Sequence, residues 1–394
     1  MKHSYLYLSI LCAAVLLCLP ARAEPGVTGD AITFGQIAAF EGPAGSLGRE
    51  VREGILAAFE EANRAGGVKG RKLRLISEDD GYEPVNSIEA AKRLMRSGRI
   101  FALIGSTGTP TSAVIEPIAS EARVPFLAPF SGAGFLREPF NPNVINIRAS
   151  YGQEAALMMD WLTKDKGVSR IAILYQDDAF GRAGLAALRA ALAKTGVELA
   201  AEAVFERNTL AVKSALLTMQ RARPEAVVLI GPYKPCAEFV RLARKLELNA
   251  MFLATSFVGA DALARELGPL GGGIAISQAV PSPNDGSLPL GARFRAALKA
   301  AKPSAEAGFV GEEGYLAGRL VAAALEKLPE EPARRDFLAK ILGNSFDLDG
   351  FKLNFAPGSN QGSDAVFLTV LQPDGTFTQI AGTGQAAHSA RVPQ

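Results

Sequence analysis

The sequence is poor in the residues on which most polar catalysis depends. It contains two histidines, His3 and His388, one near each end of the chain. Histidine-based acid–base chemistry and most zinc sites therefore have no raw material in its body. Cysteine is nearly as scarce, with only Cys12, Cys18 and Cys236. The first two lie in an apolar leader, so Cys236 is left alone and no intramolecular disulfide can form. Long runs of one charge sign are absent, and the formal net charge is only +2. Loss of Lys2 and Arg22 with the leader brings it to zero. Nucleic acid and anionic membranes are poor partners for such a chain. Beyond the leader, no apolar run approaches the ~20 residues of a membrane span. No metal and no cofactor are expected.

What is present is abundant apolar material, 48% of 394 residues, without low-complexity tracts beyond alanine-rich helices. At about 150 residues per domain, this length predicts two domains with a core each. Met1–Ala23 combines a basic start at Lys2, an apolar core from Tyr5 to Leu19, helix-breaking Pro20 and the sequence Ala21-Arg22-Ala23. That is the pattern of an export signal cleaved after Ala23. The expected mature protein is exported and soluble.

From Ala31 onward a β-rich run, a Gly/Pro/Ser/Thr-rich connection and an amphipathic helix recur. Strands are expected at Ala31–Ala38, Lys72–Ser77, Phe101–Gly105, Val124–Ala128 and Asn143–Ile147, with helices at Arg49–Ala65 and Thr111–Ala122 between them. A second series starts near Tyr151, with strands at Arg170–Tyr175, Val197–Val204, Ala226–Ile230 and Ala250–Thr255. Strands alternating with helices imply right-handed βαβ units and parallel sheets flanked by helices. Two such series imply an α/β protein of two Rossmann-like lobes. The region after Gly271 is less regular, and its β-rich stretches at Phe351–Asn354 and Ala365–Leu371 are expected to complete both sheets.

In open parallel sheets, ligands bind outside the carboxyl ends of the strands. Ser106-Thr107-Gly108-Thr109-Pro110-Thr111 lies at such an end. Thr109 is placed to cap the following helix, and the hydroxyls of Thr107, Thr109 and Thr111 suit a carboxylate or another small anion. Pro129-Phe130-Ser131-Gly132 forms a second loop of this kind. Tyr82, Phe180 and Tyr233 also follow strands. Aromatic walls with a few polar anchors describe a small-molecule cleft.

These features together resemble the leucine/isoleucine/valine-binding family of periplasmic solute-binding proteins of ABC transporters, of the type I fold. The resemblance runs through Ile32-Thr33-Phe34-Gly35, Glu41-Gly42-Pro43-Ala44, Ala62-Asn63-Arg64-Ala65-Gly66-Gly67-Val68-Lys69-Gly70 and Glu78-Asp79-Asp80. It continues through Ile104-Gly105, Val124-Pro125-Phe126-Leu127-Ala128-Pro129 and Ala179-Phe180-Gly181. It implies two lobes joined by a three-crossover hinge that close on a ligand. Lobe one would comprise 24–148 and about 278–353, and lobe two 149–277 and about 354–385, with 386–394 a tail. The crossovers would fall near Arg148–Ser150, Ser277–Pro281 and Leu353–Phe355. Carried over by position, Thr109 supplies the carboxylate-binding hydroxyl, Phe130, Ser131 and Gly132 the second loop, and Phe180 and Tyr233 the lobe-two aromatics. A further family aromatic falls on Leu47, a departure.

The function implied is capture of a small carboxylate-bearing solute, an amino acid or an organic or aromatic acid, for a membrane permease. The protein would be a periplasmic monomer and no enzyme. An exported sensor signalling to a receptor is the alternative on the same fold. A Rossmann dehydrogenase is excluded, because Phe40-Glu41-Gly42-Pro43 stands where a glycine-rich dinucleotide fingerprint is required. The family's acidic partner for a ligand ammonium falls on Ser256, which predicts a ligand other than a simple branched-chain amino acid.

Overall fold

The computed structural model describes residues 24–383, apart from 285 and 287. The leader and the C-terminal tail lie outside the described residues. Two helix-flanked sheets organise the chain. In the first, β1 (Ala31–Ala38), β2 (Lys72–Asp79), β3 (Ala102–Ile104), β4 (Phe126–Leu127) and β5 (Val144–Ile145) run parallel in the order β2-β1-β3-β4-β5. In the second, β6 (Ile171–Gln176), β7 (Leu199–Phe205), β8 (Ala226–Ile230), β9 (Met251–Ala254) and β10 (Ala275–Gln278) repeat that order as β7-β6-β8-β9-β10. The central strands are buried almost along their whole length, as helices on both faces of a parallel sheet demand.

The C-terminal region departs from the expected division. The chain first pairs β11 (Ser345–Leu348) with β12 (Phe351–Asn354) as a hairpin that joins neither large sheet. Then β13 (Phe367–Leu371) adds antiparallel to β10, and β14 (Phe377–Gln379) to β13. Only the second sheet is extended. The segment Leu353–Phe355 is not the third crossing. The backbone of Asn146 donates to the Asn360 carbonyl (2.8 Å), and Gly362 donates to that of Asn146 (2.8 Å). The chain therefore stays beside the end of β5 until Gly362 and passes to the second sheet afterwards. The other connections leave the sheets after β5 at Ile145 and after β10 at Gln278.

The helices at Pro289–Ala301 and Phe309–Glu326 return to lobe one and pack on the helix Gly45–Arg64. That contact is made backbone to backbone. A Cβ on Gly54 would lie 1.9 Å from the Gly311 carbonyl oxygen, and one on Gly314 would lie 2.2 Å from that of Val51. The helix Gly45–Arg64 starts four residues before its expected onset and carries Leu47 out of the loop into a buried turn. The helix Ala260–Leu267 and the strands β11 and β14 had no clear sequence signal.

Arg137 ties the connections to a loop of lobe one. Its guanidinium donates to the carbonyls of Ala133 (2.9 Å) and Arg148 (2.9 Å) and to the Gln361 side chain. Burial, with Arg148 nearby, pulls it down to about 9.

Candidate functional site

Loops at the carboxyl ends of the two sheets meet between the lobes. From lobe one come Tyr82, following β2, and Phe130, following β4; from lobe two come Phe180, following β6, and Phe257, following β9. Phe257 is fully buried and lies at the centre, 4.5 Å from the Phe180 ring, 5.5 Å from Phe130 and 6.2 Å from Tyr82 between centroids. Tyr151 extends the cluster, 5.5 Å from Phe180. Tyr82 takes up its place in a left-handed conformation (φ +63°), supported by its backbone N–H bonding the Asp80 carboxylate at 2.9 Å. The Tyr82 hydroxyl accepts from Gln176 across the cleft at 3.5 Å.

A polar patch adjoins this box. The Thr109 and Ser131 hydroxyls are 2.7 Å apart, and Thr109 lies 3.3 Å from the Tyr151 hydroxyl. The expected helix cap at Thr109 is not made. Gly108 occupies the cap position, Thr109 is the first helical residue, and no side chain caps this helix. The Thr109 hydroxyl is thereby turned into the site. Thr107 and Thr111 point their hydroxyls back to the carbonyls of Gly105 (3.3 Å) and Thr107 (2.8 Å), so the loop offers one hydroxyl rather than three. Gly132 lets the second loop lie against Tyr151, since a Cβ there would come within 2.7 Å of that residue's backbone nitrogen. Tyr233 stands apart from the aromatic box. Its hydroxyl accepts from the Ser46 backbone N–H (3.2 Å) and so joins the lobes directly.

Sequence reading missed the charged centre. Arg148, in the first connection, is buried with its guanidinium 4.7 Å from the Phe130 ring centroid. It donates to the Ser256 hydroxyl and faces Glu154 at 3.4 Å and Glu313 at 3.6 Å. Its Nε and Nη1 have no hydrogen-bond acceptor. Burial alone would pull this guanidinium down, but Glu313 and Glu154 hold it above its usual range. Glu154 accepts from the Ser256 N–H (2.8 Å), the Ser256 hydroxyl (2.9 Å) and the Ser277 hydroxyl (2.6 Å) as well. Ser256, at the position matched to the family's acidic residue, thus links Arg148 to Glu154. The only usable signal was a lone arginine at a predicted crossover.

The rim is latched by further contacts between lobes. Arg207 pairs with Glu83 (2.7 Å) and Asp178 (3.4 Å), and Asn208 bonds Glu83 (2.7 Å) and the Gly81 carbonyl (3.0 Å). On another side Arg265 pairs with Glu50 (2.6 Å), and Asp261 accepts from the Phe309 N–H (2.9 Å). Leu47 meets Gly259 there, where a Cβ would lie 2.4 Å from the leucine Cδ2. The site is closed. Among the described residues no cluster of three or more metal-ligating side chains occurs, and no helix is long and apolar enough to cross a membrane.

A model of the periplasmic binding protein family matches residues 31–376, nearly the whole described chain. The chain belongs to the periplasmic binding protein family. Among curated relatives, the Leu/Ile/Val-binding protein homolog 3 of Brucella melitensis is 31% identical over 55% of this chain and 57% of its own length. The match therefore spans little more than half of that relative. A solved structure described as a possible leucine/isoleucine/valine-binding protein from Rhodopirellula baltica is 35% identical. It superposes with a TM-score of 0.85 over 92% of this chain and 98% of that one. A solute-binding protein of R. palustris, solved in complex with benzoate, has a TM-score of 0.80 at 19% identity over 91% and 98% of the two chains, a likeness of fold. The family's type I architecture of parallel sheets flanked by helices is the one described above.

Two buried carboxyls, Asp80 and Glu313, and the half-buried Asp261 give this family member a pH signature. Burial pushes Asp80 up to about 6, while burial and Glu50 push Asp261 up to about 7. Burial likewise raises Glu313 to about 7 against the pull of Arg148. The folded state then binds protons that the unfolded chain, with carboxyl values near ~4, has released. Their stabilisation is complete below that value and is lost as pH rises through 6 to 7. Thermal denaturation without ligand is expected to give a higher Tm at pH 5 than at pH 8. The reverse order would contradict the assignment of these three groups.

Proposed function

We propose that the protein captures a small carboxylate-bearing solute in the periplasm and delivers it to the membrane permease of an ABC importer. The carboxylate binds the Thr109 and Ser131 hydroxyls, with Phe130, Gly132, Tyr82 and Phe180 shaping the cleft and Thr107, Tyr233 and Ser256 supporting it. The protein works as a monomer, without a cofactor, and catalyses no reaction. The observation that carries this reading is the meeting of Tyr82 and Phe130 of one lobe with Phe180 of the other on Phe257. Such a junction encloses a solute only if the lobes part to admit it and close again. Ligand contacts to both lobes then favour the closed state. The Leu/Ile/Val-binding protein homolog of Brucella melitensis and the possible leucine/isoleucine/valine-binding protein of Rhodopirellula baltica support a solute of this class.

Small-angle scattering against a panel of amino acids and organic acids tests it. The radius of gyration is expected to shrink with a cognate solute and stay fixed with the others. Unchanged dimensions across the panel would remove the reading. Thr109→Ala is expected to weaken binding of that solute by ~1–3 kcal/mol, the scale of a lost hydrogen bond to a charge. Stability should fall by about 1 kcal/mol, since Thr109 caps no helix but its buried hydroxyl bonds those of Ser131 and Tyr151. Equal affinity by titration calorimetry would show that the hydroxyl does not meet the solute.

A further inference from the structure

The acidic side chains around the cleft decide what else the solute can carry. An ammonium brought into a closed site needs a carboxylate with free acceptor capacity, or its lost hydration goes unreplaced. Glu154 has none to offer: three donors from Ser256 and Ser277, plus Arg148, already occupy both its oxygens. Asp178 accepts from the N–H groups of Phe180 (2.9 Å) and Gly181 (3.3 Å) and from Gln176 (2.5 Å), and it also faces Arg207. Glu83 is engaged at the rim by Arg207 and Asn208. Asp177 is exposed and paired with Arg182. At Glu313, which Arg148 faces at 3.6 Å, an ammonium would stand beside a guanidinium.

The cation is different. Arg148 is buried, lies over Phe130 next to Ser131, and keeps two guanidinium nitrogens without acceptors. Nη1 faces Glu313 and Nη2 serves Ser256 and Glu154, so Nε is left to give a solute carboxylate a charge-assisted hydrogen bond. Around it, Tyr82, Tyr151, Phe180 and Phe257 present apolar ring surface. The geometry points to a monocarboxylate with an apolar body and no amino group as the solute, with Arg148 as the counter-charge to its carboxylate. This rests on the solute-capture reading and narrows it. The partial neutralisation of Glu313 by burial acts in the same sense, since it lessens the negative charge an incoming anion meets.

Calorimetric titration of the exported chain with matched pairs tests the inference: 3-phenylpropanoate against phenylalanine, and 4-methylpentanoate against leucine. At least one acid is expected to bind about 100-fold more tightly than its amino acid, the equivalent of about 2.7 kcal/mol. Arg148→Lys should weaken that acid at least tenfold. Glu313→Gln, which keeps the shape and removes the charge, should leave it unchanged or tighter. That variant keeps the test open if replacement of Arg148 prevents folding. Leucine or phenylalanine binding as tightly as its acid, and lost in Glu313→Gln, would overturn the inference and assign Glu313 to an ammonium while leaving solute capture standing. Absence of binding by all four probes would overturn it too. The capture reading falls with it only if no solute of the scattering panel closes the lobes.

Discussion

Glu154→Ala is expected to be among the most damaging single replacements in this chain, lowering stability by ~3–5 kcal/mol. Glu154 is fully buried and accepts from one backbone N–H and two serine hydroxyls while facing Arg148. Alanine removes the acceptor for all of them at once. It leaves a buried guanidinium whose remaining carboxylate neighbour, Glu313, is 3.6 Å away and pushed up to about 7 by burial. For a lobe of this size the loss corresponds to a fall in Tm on the order of 10 °C. Glu154→Gln should fall in between, because an amide oxygen still serves two of the donors. A change in Tm below about 2 °C for the alanine variant would mean that water replaces the carboxylate, and Arg148 would then be less buried in solution than in this structure.

The residues of this network explain how far the sequence could be read. Strands and their following loops were legible because burial on both faces writes short apolar runs, and glycine, proline and hydroxyl residues punctuate them. β1 and β8 lie where the runs Ala31–Ala38 and Ala226–Ile230 put them. Boundaries were harder, since helix onsets depend on tertiary contacts. Gly45-Ser46-Leu47-Gly48 has loop composition, but Leu47 finds a buried place against Gly259 of the other lobe, and the helix extends to include it. The hairpin of β11 and β12 misled because four alternating residues read alike in a hairpin and in the edge of a large sheet.

For the site, what the loops present was readable and what the connections present was not. Thr109, Phe130, Ser131 and Phe180 stand at carboxyl ends of strands, where a general rule places ligands. The structure brings Thr109 and Ser131 together but reverses the reason given for the first, whose hydroxyl serves no helix. Arg148, Glu154 and Glu313 converge from a connection and two helices far apart in sequence. No periodicity or spacing records such a convergence. Ser256 was noticed for the charge it lacks, and its structural role supplies the complement: it accepts from Arg148 and donates to Glu154, so a cation occupies the neighbourhood where an acid was sought.

Phe257→Ala is expected to weaken solute binding by about 100-fold while affecting the solute-free protein less. Phe257 touches rings of both lobes, so the consequences divide between two states. On the proposed capture mechanism, its contact with Phe180, within lobe two, persists when the lobes part, and its contacts with Tyr82 and Phe130 form on closure. Removing a buried phenylalanine removes ~3–5 kcal/mol of packing in total, and each aromatic pair adds ~0.5–1.5 kcal/mol beyond the area it buries. If the two interlobe pairs and the surface they cover carry somewhat more than half, closure loses roughly 2–3 kcal/mol, which is one and a half to two decades in affinity. Titration of the variant with the solute that closes the native protein gives the first quantity, and thermal denaturation without solute gives the second. A variant that loses stability as expected and binds with native affinity would place Phe257 in the core of lobe two alone, and the lobes would then have to close on surfaces other than the aromatic box.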